Sequence, residues 1–170
     1  CGHMVFEALP RDMADNSYIA KTAEDLDWLE GRNRVNNGGW FNISLANDIE
    51  YTAVPGQLAF NNDNWYGGNF DGHGHALTIE FTDAPAAASL FPNFRGTCQN
   101  TIFHGNITTA NQYAGTVTGH ARDNKVVIKN VYSDVNIQSS RVDDNTTGGL
   151  VGVGDSNYRI ENAIYAGTIE

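Results

Sequence analysis

Asp71, His73 and His75 sit at alternating positions within Gly68-Asn69-Phe70-Asp71-Gly72-His73-Gly74-His75. On a β-strand alternate side chains share a face. A carboxylate and two imidazoles would then converge in a pattern that suits zinc or another transition metal. Two glycines interrupt the three, however, and Asp-Gly is a strong turn signal. The segment is therefore read as a turn joining two strands, with Phe70 and Leu77 pointing inward, and no metal ligand is assigned. The sequence holds no H-E-x-x-H, which excludes zincin-type peptidase chemistry from this chain.

Two other polar clusters, Asp143-Asp144-Asn145 and Asn61-Asn62-Asp63-Asn64, could hold calcium through oxygen ligands. Neither matches an EF-hand loop or a G-G-x-G-x-D repeat. Solvated loops are the expectation, and no other cofactor is indicated. Cys1-Gly2-His3-Met4 reads as a cloning scar, which leaves Cys98 as the one native cysteine. A nucleophilic cysteine needs a base beside it. None is nominated here, so Cys98 is read as a small buried hydrophobe.

What would position such residues is a repeat. CQNTIFHGNI from Cys98, IKNVYSDVNI from Ile128 and IENAIYAGTI from Ile160 align without gaps on Asn100, Asn130 and Asn162, which lie 30 and 32 residues apart. Repeats of this length mark stacked supersecondary units, because one unit alone cannot bury its apolar face. After each asparagine the residues alternate. Thr101, Phe103, Gly105 and Ile107 form one set, matched by Val131, Ser133, Val135 and Ile137 and by Ala163, Tyr165, Gly167 and Ile169. The period of two means strand, with this set inward. Parallel stacking of such strands makes the rungs of a β-helix, and the three asparagines should stack as an amide ladder where each strand begins. Small residues before a short apolar pair recur between the repeats, in AGTVTG at Ala114 and GGLVGVG at Gly148, with a degenerate copy, AASLF, at Ala87. They read as a tight corner followed by a second strand of the same rung.

GGLVG together with I-x-N-x-x-x-x-x-x-I resembles the GLUG-type repeat of bacterial secreted and surface proteins, including regions that accompany immunoglobulin A peptidases. Members of that family commonly open with a helix rich in Glu and Leu, then L-x-N-D-I, then G-x-F-D-G-N-G-H. The matching segments here are Leu45-Ala46-Asn47-Asp48-Ile49 and Gly68 to His75, with His73 where the family usually has Asn. The resemblance spans residues 18–170. It implies a β-helix from a bacterial secreted or cell-surface protein.

The opening unit is read separately. Thr22 and Asp25 form a capping-box variant with Glu24 in the first turn. Leu26 and Leu29 make an apolar stripe beside Trp28, and Gly31 with the 36–39 Asn/Gly cluster ends a helix near 23–34. Phe41 to Ala46 then alternates as a strand. The fold class is thus all-β: a right-handed parallel β-helix with a short N-terminal capping α-helix. Residues 5–50 are assigned to the cap and 51–170 to the repeats, which are expected to continue in a longer parent protein.

The 170 residues carry a net charge of −10 and a pI near 4.7, which argues against nucleic acid or an anionic membrane surface as partner. No apolar run is long enough to insert into a membrane. A glycosidase needs two carboxyl groups facing each other across a cleft. The outward column His104, Asp134, Ala166 offers one acid, and Asn106, Asn136, Thr168 offers none. No catalytic residue is assigned. The outward column Ile102, Tyr132, Ile164 is instead apolar on three rungs and is the first binding candidate, either open or covered by the 108–113 or 138–147 loop or by another part of the parent protein. Loop aromatics that could stack on sugar rings, Trp65 and Tyr66 above all with Trp40, Tyr113 and Tyr158, are the second. The expected function is a non-catalytic module presenting a binding face, or a rigid spacer, in adhesion to a host protein or carbohydrate. Other domains of the parent are further candidate partners. A polysaccharide-active β-helix enzyme with a loop-built site is the alternative.

Overall fold

The computed structural model describes residues 9–14, 16–35, 39–53, 65–82, 88–155 and 157–170. The chain is a parallel β-solenoid. Its strands are β1 (Arg11–Asp12), β2 (Ser17–Ala20), β3 (Asn42–Leu45), β4 (Ile49–Ala53), β5 (Asn69–Asp71), β6 (Ala76–Thr82), β7 (Phe91–Phe94), β8 (Thr97–Thr109), β9 (Tyr113–Ala114), β10 (Thr118–Ala121), β11 (Val127–Ser133), β12 (Asn136–Ser139), β13 (Thr146–Thr147), β14 (Val151–Gly154) and β15 (Arg159–Tyr165), with helix α1 (Ala23–Val35) between β2 and β3.

Stacking is in register. In the long sheet the order is β1-β2-β3-β5-β8-β11-β15. One inward column runs Tyr18, Ile43, Phe70, Cys98, Ile128, Ile160 through parallel pairs. Cys98 is fully buried in it, and burial pushes its thiol well above the usual range, so it packs as a small hydrophobe. The segments read from the sequence as second strands of each rung form their own parallel sheet, with Thr118 paired to both Phe91 and Val151.

Strand β8 shows how one rung is built. Cys98 is buried, then Thr101, Phe103, Ile107 and Thr109. The step from 98 to 101 is three, not two, because Asn100 adopts φ 54°. One left-handed residue resets the phase of the alternation, so the strand bends while keeping its apolar side inward. Asn130 (φ 52°) and Asn162 (φ 50°) do the same on the next rungs. Asparagine suits this because its short polar side chain tolerates the left-handed region better than other non-glycine residues. Gly105, at φ +115°, sits further along the same inward set, where a Cβ would collide with the Ile79 carbonyl oxygen. The neighbouring backbones approach too closely there for any side chain.

The helix begins with a reciprocal cap. The Asp25 carboxylate accepts from the Thr22 N–H at 3.2 Å and the Lys21 N–H at 2.8 Å, and the Asp25 N–H donates to Thr22 Oγ1 at 3.3 Å. Leu26 and Leu29 are fully buried and join the core with Tyr18 and Tyr51. The division at residue 50 is corrected by the topology. It falls inside β4, and strands assigned to the cap are already rungs: β2 pairs with β3 and β3 with β5, all parallel. The helix is an excursion between the first two rungs. Ser17–Ala20 carries no asparagine or glycine signature, so the repeat alignment does not reach it.

The ladder gives a stability prediction. Asn130→Ala removes amide hydrogen bonds worth about 1 kcal/mol net and adds left-handed strain of about 1 kcal/mol. Asn130→Gly removes the bonds without the strain. The alanine variant is expected to unfold at a clearly lower urea midpoint than the glycine variant. Equal midpoints would show that the corner conformation carries no cost.

Candidate functional site: a corner groove

The bends at Asn100, Asn130 and Asn162 line up and leave a concave groove of about 530 Å³. It runs across the rungs, parallel to the solenoid axis. Along one side stand the asparagines, joined by hydrogen bonds: Asn162 Nδ2 donates to Asn130 Oδ1 at 2.7 Å, Asn130 Nδ2 to Asn100 Oδ1 at 3.1 Å, and Asn100 Nδ2 to Asp71 Oδ1 at 3.1 Å. The ladder therefore ends on a carboxylate. Each primary amide has two N–H donors and the ladder uses one. Ile102, Tyr132 and Ile164 stand along the other side, paired rung to rung. Tyr132 is 36% and Ile164 61% exposed, with Ile102 half-buried between rungs. The 108–113 and 138–147 segments do not line the groove, so neither covers the apolar column.

One end of the groove is closed by the glycine- and histidine-rich segment. Asp71 pairs with Gln99 and Ala76 with Ile102. The corner between them thus holds residues 72–75, where the later rung has only 100 and 101. The extra length makes a projecting turn with left-handed His73 and Gly74, both of which line the groove. Asp71 Oδ1 accepts the His73 N–H at 2.8 Å, the turn expected of Asp-Gly, and Phe70 and Leu77 are fully buried beside it. The two histidines diverge to separate partners. His73 Nε2 meets Ser44 Oγ at 3.2 Å, and His75 Nδ1 meets Asp48 at 3.3 Å.

Asp48 and His75 belong to a set of inter-rung pairs, of which the sequence placed only His104 and Asp134 in one column and assigned no pairing. His104 Nδ1 meets Asp134 Oδ1 at 2.7 Å, and His120 Nε2 meets Asp155. In each pair the partners are 27 to 35 residues apart, one rung along the solenoid. That near-repeat spacing was the available signal. Asp155 is held below the usual carboxylate range by its hydrogen bond to His120, with Arg122 and Arg95 adding to the effect. Asp48 is lowered chiefly by the Ala76 N–H.

Tyr66 is corrected. It is fully buried, and its ring stacks on Phe91 with centroids 4.7 Å apart while its hydroxyl donates to the Phe41 carbonyl at 2.8 Å. Tyr66 bridges Gly39 and Phe94 on neighbouring rungs, which fixes it inward, so it presents no face to a ligand. Trp65, one residue earlier, points out and packs against Trp40. Of the calcium candidates, 61–64 lies outside the described residues. The 143–145 loop is tied by its own bonds, Arg141 Nε to the Asp143 carbonyl at 2.7 Å and Thr147 Oγ1 to Asn145 Oδ1 at 2.6 Å. Among the described residues no three His, Cys, Asp or Glu side chains are grouped to hold a metal, and no helix is long and apolar enough to cross a membrane. No protein-family model matches the chain, nor does any curated protein or any solved structure.

The lowered Asp155 has a pH signature. A carboxyl group depressed on folding stabilises the fold above its unfolded value, near 3.8, and that contribution is lost as pH falls through the folded value below it. Asp155→Asn is therefore expected to lower Tm at pH 7. The gap to the parent protein should close as the pH is taken below about 3.8. A gap unchanged across that range would assign the effect to packing.

Proposed function

We propose that this chain is a non-catalytic β-helical module of a bacterial secreted or cell-surface protein, and that it binds a glycan along the corner groove. The observation that carries the reading is the pairing of unlike walls. A ladder of amide donors runs alongside a column of Ile102, Tyr132 and Ile164, two residues further along each strand, and both line one trough that crosses the rungs. A sugar chain has the same two-sidedness, with C–H faces that favour apolar and aromatic contact and hydroxyl edges that favour amides. Host glycans at a cell surface fit this chemistry, and an adhesive or spacer role in a longer parent follows from it. The resemblance to GLUG-type repeats supports the same setting.

The affinity expected is modest. Apolar contact contributes about 25 cal/mol per Å² removed from water, so three side chains supply a few kcal/mol against the cost of association. Such a contact gains strength from many copies on one surface.

A glycan and host-protein array on the isolated chain, repeated with Tyr132→Ala, tests the reading. Glycan binding that falls about tenfold in the variant, with the melting temperature nearly unchanged, is the expected result. Tyr132→Ala lowering stability by several kcal/mol, as core truncations do, would remove Tyr132 from the binding face. Cleavage of a bound polysaccharide would replace this reading with an enzyme.

A further inference from the structure

A second surface, at the corner where the short parallel sheet leads into the long one, carries chemistry that the groove lacks. Trp40 is 57% exposed, although an indole of its size is normally an anchor of a core or an interface. It packs on Trp65 with centroids 4.6 Å apart and planes tilted by 60°. Both rings rest over Gly67. A Cβ there would come within 2.8 Å of Trp40 Cε3 and Cζ3 and 3.0 Å of Trp65 Cζ3. Backbone hydrogen bonds hold the seat: Gly67 N–H donates to the Gly39 carbonyl at 2.8 Å and Arg95 N–H to the Tyr66 carbonyl at 2.8 Å.

Cations flank the two rings. The Arg95 guanidinium lies 4.8 Å from the Trp65 centroid and the Lys125 ammonium 5.6 Å from that of Trp40. Arg122 follows Ala121, which pairs with Phe94, so Arg122 stands one rung from Arg95. Its Nε donates to Asn93 Oδ1 at 3.0 Å. Asp123 meets Arg95 Nε at 3.1 Å, which engages one edge of that guanidinium, and Asp155 lies close enough to feel both arginines. Two of the ten Lys and Arg residues of a chain with net charge −10 thus lie over the tryptophan pair, of which Trp40 is exposed and Trp65 half-buried. A third, Arg122, stands one rung from Arg95. Lys125 is exposed, and its ammonium lies over the ring of Trp40.

We propose that Trp40 and Trp65, seated over Gly67 with Lys125 and Arg95 over their rings, form a binding shelf for a single anionic sugar unit, carboxylated or sulfated. The pyranose stacks on Trp40 as the Lys125 ammonium swings from over the ring to pair its anionic group, with Arg95 over Trp65 as the second cation. The tilt decides against a nucleic acid strand. Successive bases need successive ring faces, but here Arg95 lies over Trp65 and only the mobile side chain of exposed Lys125 lies over Trp40, so at most one face can be cleared. Net charge points the same way, since a long polyanion meets the whole −10 while a single charged sugar meets mainly its neighbours within a Debye length, about 8 Å at physiological salt.

Indole N–H cross-peaks in two-dimensional NMR give the test, with Trp40 assigned from Trp40→Phe. Titrants are methyl glucuronide, methyl galactoside 6-sulfate, methyl glucoside and thymidine monophosphate. Shifts of the Trp40 and Trp65 peaks with the glucuronide or the sulfate, and binding of methyl glucoside about tenfold weaker (about 1.4 kcal/mol), are expected. Which acidic glycoside binds tighter identifies the anionic group. Lys125→Glu, an exposed change, should abolish the shifts, whereas Tyr132→Ala in the groove should leave them intact. The proposal is overturned by no shift with either acidic glycoside, by equal binding of methyl glucoside, by tighter binding of thymidine monophosphate, or by Lys125→Glu binding as well as the parent.

Discussion

The structure depends on one conformation, an asparagine in the left-handed region at the same register of three successive rungs. A strand of L-residues keeps its alternation indefinitely and stays nearly straight. To close a rung the chain must bend without turning its apolar side outward. Asn100, Asn130 and Asn162 achieve both by shifting the phase of burial at the bend. Their amides then bond to one another along the axis, so the residue that makes the bend also fixes the vertical register. Corner and register are one device, and the groove is its by-product: aligned bends leave a continuous concavity.

Aromatic packing fills the interior between the two sheets. Tyr66, Phe91 and Phe94 stack nearly parallel, with Phe70 set edge-on to Phe91. These large rings come from different rungs and faces, which ties the long sheet to the short one across the core. Glycine acts where two such layers meet too closely for a side chain, as at Gly105 in the core and Gly67 under the tryptophans. Interior and surface are thereby coupled, because the same alternation that buries Tyr66 projects Trp65.

Charge is organised along the axis rather than around it. His75–Asp48, His104–Asp134 and His120–Asp155 each link two rungs, which disperses part of the acidic excess of the chain as short-range attraction between layers. The corner groove, by contrast, is lined by amides and apolar side chains with His73 at its closed end. The tryptophan corner collects cations. Two neighbouring corners of one solenoid therefore present different chemistry, amide and apolar in one and aromatic with clustered charges in the other.

Much of this was legible in the chain itself. Period-two alternation after Asn100, Asn130 and Asn162 determined strand, inward set and rung-to-rung register, because a side chain in a parallel stack meets its equivalent in the next repeat. The helix was equally readable, since Thr22 and Asp25 cap it locally and Leu26 and Leu29 follow within two turns. Tertiary structure alone decided the rest. Whether Trp65 or Tyr66 faces out is undetermined in a lone pair of aromatics; bridges to Gly39 and Phe94 settle it. That β2 is already a rung depends on pairing with β3 across the whole helix. The groove's closed end arises because the corner at 72–75 is two residues longer than the one at 100 and 101, a difference that matters only once the rungs are stacked. Local pattern encodes what each rung is; the mismatch between rungs, which no single repeat contains, shapes the surface where a ligand can bind.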